Sequence, residues 1–145
     1  MTQIYLLVTT HWVFTVKFDG KNEIAKARLV VRGFLDKNQY RSTDVYAPVI
    51  NGDVIRWTFS TATKFNMKIY TIDVCTAFLY GDLQKPVHID IPRGVICQNK
   101  NTIALKLIKS MYVLRVSSRN WFVKLIDVLF NLGFINLITD QCVFL

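Results

Sequence analysis

The chain contains few residues of the types that build metal or disulfide sites. It has three cysteines, Cys75, Cys97 and Cys142, and two histidines, His11 and His88. The cysteines lack the spacing of a zinc site or a disulfide framework. Unpaired cysteines indicate a reducing compartment, so we expect an intracellular protein, cytoplasmic or nuclear.

Long apolar runs are also missing. No run approaches the ~18 residues that a membrane-spanning helix needs. The opening residues, MTQIYLLVTT, have no basic region before their short apolar stretch. We therefore expect no signal peptide and no membrane partner.

The residues that are abundant are apolar or basic. Apolar residues make up 52% of the 145 residues, which excludes a disordered chain. The net charge is +8, which indicates attraction to phosphate backbones. The length allows one domain or part of a larger one. The slightly positive mean hydropathy favours a truncated domain with an apolar face that a missing part would cover.

The first predicted element is a basic β-hairpin. Residues Trp12 to Phe18 are β-prone, residues 19–22 form the turn, and a second strand runs from Ala25 to Arg32 and stops at Gly33. Lys26, Arg28 and Arg32 alternate with apolar residues, so we expect the three cations to share one face. They could hold a triphosphate or a template backbone. A solvated strand face is the other interpretation.

The remaining pattern predicts an α+β fold with an antiparallel sheet and helices on one face. Asp53 is expected to cap a helix over residues 54–65. Short strands are expected at residues 67–72, 87–91, 103–108 and 142–145. A second helix should begin at Ser117 or Ser118 and end before Gly133, which suits the left-handed position after a helix.

Among the acids, Asp73 is the best candidate for chemistry. It follows the apolar run that ends at Ile72, and an acid at the end of a buried strand is a common position for a metal ligand. Mg²⁺ takes one or two carboxylates together with substrate phosphates. An ordinary aspartate that caps the next turn is the other interpretation. A further cluster of cations adds positive charge before the last helix: Lys106, Lys109, Arg115 and Arg119. The other interpretation of this cluster is a solvated polar face with charges at the helix edge.

Several strings occur in the order and spacing of one known family. They are KARLVVRGF (26–34), YAPV (46–49), IDVCTAFLYGDL (72–83), IDIPRGV (89–95), LKLIKSMYVLRVSSRNWF (105–122), LGF (132–134) and DQCVF (140–144). Together they resemble the reverse transcriptase domain of Ty1/copia retrotransposons, over nearly the whole chain.

The resemblance implies a partial right-hand polymerase fold. Residues 1–145 would be a single truncated domain, with 12–66 similar to the fingers and 67–145 similar to part of the palm. Asp73 matches the first catalytic aspartate, which binds Mg²⁺ with help from the backbone carbonyl of the next residue, here Val74. In the family, two such ions activate the primer hydroxyl and stabilise the leaving pyrophosphate.

The same resemblance assigns partners and further site residues. The partners would be an RNA or DNA template-primer, dNTPs and the remainder of a retrotransposon polyprotein. Lys26 and Arg28 resemble cations that grip the incoming triphosphate. Phe78 matches the bulky residue that excludes a ribose 2′-hydroxyl, although a core phenylalanine is an equal alternative. Arg32, Arg115 and Arg119 are the candidate contacts to nucleic acid.

The sequence also departs from the family pattern. We find no Tyr-x-Asp-Asp motif, which supplies the other metal-binding carboxylates, so we expect the isolated chain to be inactive. Val113 stands where the family has a glycine, and a β-branched residue tolerates positive φ poorly. Val116 replaces a glutamine of the nucleotide site, and Cys75 replaces a polar residue.

Three functional hypotheses follow. The chain is part of an RNA-directed DNA polymerase that needs the rest of the palm. Alternatively, it is a catalytically dead module that binds nucleic acid through its basic fingers. The third hypothesis is a transposon relic that is not expressed or folds poorly.

Overall fold

The computed structural model describes residues 7–145. Residues 1–6, which include most of the segment where we expected no signal peptide, lie outside the described part. In chain order the elements are β1 (Leu7–Val8), β2 (Thr10–Phe18), β3 (Glu23–Val31), α1 (Ser42–Val45), α2 (Gly52–Lys64), β4 (His88–Ile89), β5 (Leu105–Lys106) and α3 (Ser117–Asn131). Two 3₁₀ turns are added at Gly33–Leu35 and Ala77–Tyr80. The mixture of helices and small sheets confirms the α+β class.

The basic hairpin is formed by β2 and β3, as the sequence predicts. The strands pair antiparallel from Thr10 opposite Val31 to Phe18 opposite Glu23. The Asp19 carboxylate accepts hydrogen bonds from the backbone N–H groups of Lys21 and Asn22, at 3.1 and 2.9 Å. Both bonds lie within the turn itself, so the turn can be predicted from its own residues.

The antiparallel sheet expected beside the hairpin is mixed instead. Within residues 7–145 the structure has two small sheets, the hairpin and a three-stranded sheet in the order β1-β4-β5. β1 pairs with β4 in parallel, whereas β4 pairs with β5 antiparallel. β1 precedes the hairpin and gave no sequence signal because a two-residue strand shows no periodicity.

A small apolar core lies where these elements meet the segment that precedes α3. Its buried members are Val8, Val31, Val87, Ile89, Leu114 and Val116. β1, the end of β3 and β4 each contribute to this core. It therefore holds the base of the hairpin against the three-stranded sheet, which we call the central sheet. The side chain of Asp90 strengthens this joint by accepting hydrogen bonds from the N–H and hydroxyl of Thr10, at 2.8 and 2.7 Å.

Helix α2 forms close to its predicted position, but its cap differs. The side chain of Asn51, not that of Asp53, accepts the capping hydrogen bond, from the backbone N–H of Asp53 at 2.9 Å. Asp53 instead pairs with Arg56 at 2.8 Å. Within the helix only Ala62 is buried. Several of its apolar side chains are exposed, among them Ile55, Phe59 and Phe65.

The strand expected at residues 67–72 is not formed. These residues adopt no regular secondary structure, and Tyr70 and Ile72 are more than four-fifths exposed. A strand needs a neighbouring strand to satisfy its backbone donors and acceptors, and within residues 7–145 no strand lies beside this segment. Hydrophobicity alone therefore misidentified it. The segments expected as strands at 87–91 and 103–108 shorten to β4 and β5.

The C-terminal part follows the sequence prediction more closely. Helix α3 ends with Gly133 at φ +93°, and its C-terminal carbonyls are closed by bonds from Gly133 N–H to Phe130 and from Phe134 N–H to Leu129. This is the Schellman arrangement that a glycine permits. The predicted last strand is reduced to a single antiparallel bridge between Asn136 and Phe144.

None of the helices within residues 7–145 has the length and apolar character needed to cross a membrane.

Candidate active site

The basic hairpin and the segment around Asp73 form two walls of one cleft of about 910 Å³. The hairpin wall comprises Lys17 and residues 25–29, and the opposite wall comprises residues 73–79. Met111 and Tyr112 complete the lining. The structure thus brings together five predicted site residues: Lys26, Arg28, Asp73, Val74 and Phe78.

The hairpin presents its cations on one face through strand pairing. Lys26 lies opposite Thr15, and Arg28 lies opposite Val13. Directly opposed residues of two antiparallel strands share a face, so Lys17, two residues beyond Thr15, belongs to the same face as Lys26. Lys17 also lines the cleft. Lys17 was not among the predicted site residues, although its alternation with Val13 and Thr15 carried the signal.

Arg32 does not join this group. β3 ends at Val31, and Arg32 has left the extended conformation, with φ −83° and ψ 75°. Its backbone N–H donates to the carbonyl of Thr9 at 2.9 Å. Arg32 is also absent from the residues that line the cleft, so the strand alternation that places Lys26 and Arg28 there does not extend to it.

Asp73 is exposed and lies in the irregular segment that replaces the predicted strand. A tight turn follows it, since Thr76 adopts the left-handed conformation with φ 56° and begins the 3₁₀ turn Ala77–Tyr80. The turn directs the chain back so that residues on both sides of Thr76 line the same cleft.

Phe78 is half-buried at the edge of the cleft. Its ring packs edge-on against that of Tyr112, with centroids 5.4 Å apart and planes at 82°. Such edge-to-face contacts are favourable and fix ring orientation. Phe78 is therefore neither a core residue nor freely exposed, but a wall of the cleft supported by Tyr112.

The metal ligands predicted here are only partly assembled. Asp73 is the one carboxylate among the residues that line the cleft, and Val74, whose carbonyl is the predicted second ligand, lies beside it. No group of three or more His, Cys, Asp or Glu side chains that could hold a metal is found in residues 7–145. One carboxylate fits a Mg²⁺ ion that takes most of its ligands from water and phosphates, but it does not fit a two-ion site.

Arg115 and Arg119 lie away from this cleft. The Arg115 guanidinium is 5.9 Å from the ring of Tyr40, and that of Arg119 is 5.7 Å from the ring of Phe122. Arg119 lines a second, smaller cavity. The structure therefore separates Arg115 and Arg119, two of the predicted contacts to nucleic acid, from Lys26 and Arg28, the predicted contacts to the triphosphate.

The two valines that depart from the family pattern have different surroundings. Val113 adopts φ 69°, the left-handed conformation that suits a glycine, and it is exposed. Val116 is buried in the core and lies outside the residues that line the Asp73 cleft. The backbone at position 113 thus keeps a conformation that its side chain disfavours.

Comparisons with known proteins show the family of the chain. The family described as "Reverse transcriptase (RNA-dependent DNA polymerase)" matches residues 6–145. The chain is 33% identical over 135 residues to the Retrovirus-related Pol polyprotein from transposon TNT 1-94 of Nicotiana tabacum, covering 92% of this chain and 10% of the relative. It is also 33% identical over 140 residues to the corresponding polyprotein from transposon RE1 of Arabidopsis thaliana, covering 95% and 10%.

The chain belongs to the reverse transcriptase family, of the type found in Ty1/copia retrotransposons. It spans about one tenth of the length of these relatives. No solved structure matches it.

Proposed function

We propose that the chain is the fingers and front palm of a copia-type reverse transcriptase, and that the Asp73 cleft holds the incoming dNTP beside a template-primer. In this assignment residues 12–66 are the fingers and residues 67–145 are part of a right-hand palm, in an intracellular polyprotein. The supporting observation is that Lys26, Arg28, Asp73 and Phe78 line one cleft.

The side chains of this cleft suit the proposed ligand. Lys26 and Arg28, joined by Lys17, provide cations that bind a triphosphate through charge-assisted hydrogen bonds. Asp73 faces them across the cleft and would hold Mg²⁺ with the carbonyl of Val74. The ion would neutralise phosphate charge during nucleotidyl transfer. Phe78, supported by Tyr112, would lie against the sugar and exclude a 2′-hydroxyl by its bulk.

We also propose that residues 1–145 bind substrates without polymerising them. The single carboxylate of this cleft supplies too few protein ligands to hold two divalent ions beside the substrate phosphates. The family's acidic pair would have to come from another segment or subunit. The alternative is a nucleic-acid-binding module without catalysis, and the burial of Val116 away from the cleft favours it, since the family places a glutamine at this position in the nucleotide site.

Binding is tested with a fluorescent template-primer titrated at several salt concentrations. For the wild-type protein, log K should fall linearly with log[salt], with a slope of about −0.7 to −0.9 for each phosphate contacted. The double variant K26M/R28M should bind more weakly and with a shallower slope. K68M/K100M is the matched control, because it also removes two positive charges and both lysines are exposed and line neither cavity. Equal loss in the control and the double variant would mean that net charge, not this cleft, drives binding.

Catalysis is tested by primer extension on poly-rA/oligo-dT with Mg²⁺ or Mn²⁺, beside Asp73→Asn. We expect no incorporation by either protein, with both shown to be folded by circular dichroism. Incorporation that the Asp73 variant abolishes would refute the proposed inactivity and show that other carboxylates complete the site.

A further inference from the structure

The second cavity of the molecule lies between three segments that the Asp73 cleft does not use. It has a volume of about 320 Å³, within the range of small-ligand sites. One wall comes from Tyr40 and the adjoining α1 region, a second from residues 82–85, and the third from the N-terminal half of α3. Leu83, Val116 and Val123 provide apolar lining.

Most acids of this cavity are already neutralised. Asp44 pairs with Arg41 at 3.1 Å, and Asp82 pairs with Lys109, which holds the carboxylate from outside the cavity. Arg41 holds the pKa of the Asp44 carboxyl below its usual range, and Lys109 does the same for Asp82. In both cases the side-chain hydrogen bond is the largest cause. Asp127 is the third acid of the lining.

The cations of the same cavity are not neutralised in this way. Lys85, Arg119 and Lys124 line it, and within residues 7–145 none of the three forms an ion pair with an acid. The Lys85 ammonium donates a hydrogen bond to the carbonyl of Gln39, and this bond orients the lysine side chain. The lining thus has four cations, Arg41, Lys85, Arg119 and Lys124, against three acids, Asp44, Asp82 and Asp127, so a net positive charge remains.

The ring of Tyr40 packs against Lys85 and against a further cation, Arg115, which is not part of the cavity lining. The Lys85 ammonium lies 5.1 Å from the ring centroid, and the Arg115 guanidinium lies 5.9 Å from it. The Tyr40 hydroxyl donates to the Asp36 carboxylate at 2.6 Å, and Asp36 is buried. This bond orients the ring against which both cations pack.

We propose that this cavity is a phosphate-binding site, separate from the Asp73 cleft, with Lys85, Arg119 and Lys124 as its ligands. An oxyanion at the cavity mouth would relieve the repulsion among these cations, and Arg119 could bind it through two parallel N–H groups. The phosphate could belong to a nucleic-acid strand or to a small molecule such as pyrophosphate. The site adds to the proposed function and does not require polymerase activity.

The test measures binding by isothermal titration calorimetry with three probes, namely pyrophosphate, a 5′-phosphorylated oligo-dT and the same oligonucleotide without the terminal phosphate. The double variant K85M/R119Q should weaken binding of at least one probe about tenfold or more, since hydrogen bonds to charged groups contribute at this level. K85M/R119Q should lower the affinity by the same factor in the K26M/R28M background as in the wild type, which distinguishes this site from the Asp73 cleft. K68M/K100M, which also removes two exposed lysines that line neither cavity, controls for net charge.

The probe that responds identifies the source of the phosphate. Pyrophosphate binding that depends on Lys85 and Arg119 supports a small-molecule phosphate, whereas equal dependence for both oligonucleotides supports a strand backbone. If the wild-type protein binds none of the probes, or if K85M/R119Q binds them all as well as the wild type, the proposal is wrong. Thermal unfolding of each variant shows whether weaker binding reflects loss of the fold.

Discussion

Gly33 and Val113 meet backbone to backbone: a β-carbon placed on Gly33 would lie 2.2 Å from the carbonyl oxygen of Val113. Just before Gly33, the N–H of Val31 donates to the carbonyl of Tyr112 at 3.2 Å. The base of the hairpin and the loop that supports Phe78 are thus joined at one point. This contact fixes the two walls of the Asp73 cleft relative to each other.

The first prediction is that Gly33→Ala destabilises the protein. The added methyl group meets backbone atoms that cannot rotate away, so we expect the free energy of unfolding to fall by about 1–3 kcal/mol. Urea denaturation gives the value. Gly52→Ala is the control, because nothing lies within 4 Å of its added β-carbon, and it should leave stability unchanged or raise it by up to about 1 kcal/mol. Similar losses in both variants would argue against the close contact.

Val113→Gly should stabilise the protein. A non-glycine residue in the left-handed region costs about 1–3 kcal/mol. Val113 is 63% exposed, so little apolar burial is lost with its side chain. After the entropy that glycine adds to the unfolded chain, we expect a gain of about 1 kcal/mol in the free energy of unfolding. Val113→Ala, which keeps the β-carbon, should gain less. A loss of stability in Val113→Gly would contradict the strain.

Asp90→Ala should weaken the contact between the hairpin and the central sheet. The variant leaves the N–H and hydroxyl of Thr10 without the carboxylate that accepts from both, and we expect a loss of about 1–3 kcal/mol by urea denaturation. Asp90→Asn keeps one oxygen acceptor and should lose less. Hydrogen exchange at Thr10 N–H should quicken in the alanine variant. Unchanged exchange would show that the carboxylate does not hold the hairpin.

Ionisation of Tyr40 should make the free energy of unfolding depend on pH in the alkaline range. Burial, the hydrogen bond to Asp36 and the charge of Asp36 raise the pKa of Tyr40 to about 12, from an ordinary value of 10.0. Because the folded-state pKa lies above the unfolded value, this contribution to stability is complete below pH 10 and is lost as pH rises through about 12. Tyr40→Phe should remove this part of the slope in urea midpoints measured from pH 9 to 12.

Tyr46→Phe provides the control for that measurement, since the side chain of Tyr46 is 65% exposed. It should leave the alkaline slope of the wild-type protein intact. If Tyr40→Phe kept the full slope as well, the ionisation of the buried Tyr40 hydroxyl would not be its cause.

The local features of this protein could be predicted from its sequence because short-range interactions determine them. The turn at residues 19–22 closes through the side chain of Asp19, and α3 ends at Gly133 because glycine allows the required left-handed backbone. The alternation of Lys26 and Arg28 placed both on one hairpin face. The motifs likewise identified the family that the comparisons show.

The tertiary structure decided everything that depends on partners distant in the chain. Residues 67–72 are apolar enough for a strand but have no strand beside them within residues 7–145, so hydrophobicity alone predicted the wrong structure. β1 pairs in parallel with β4 across about eighty residues, which periodicity does not reveal. Lys17 enters the Asp73 cleft, and Arg119 a separate cavity, because chain packing and not residue type sets which side chains share a site.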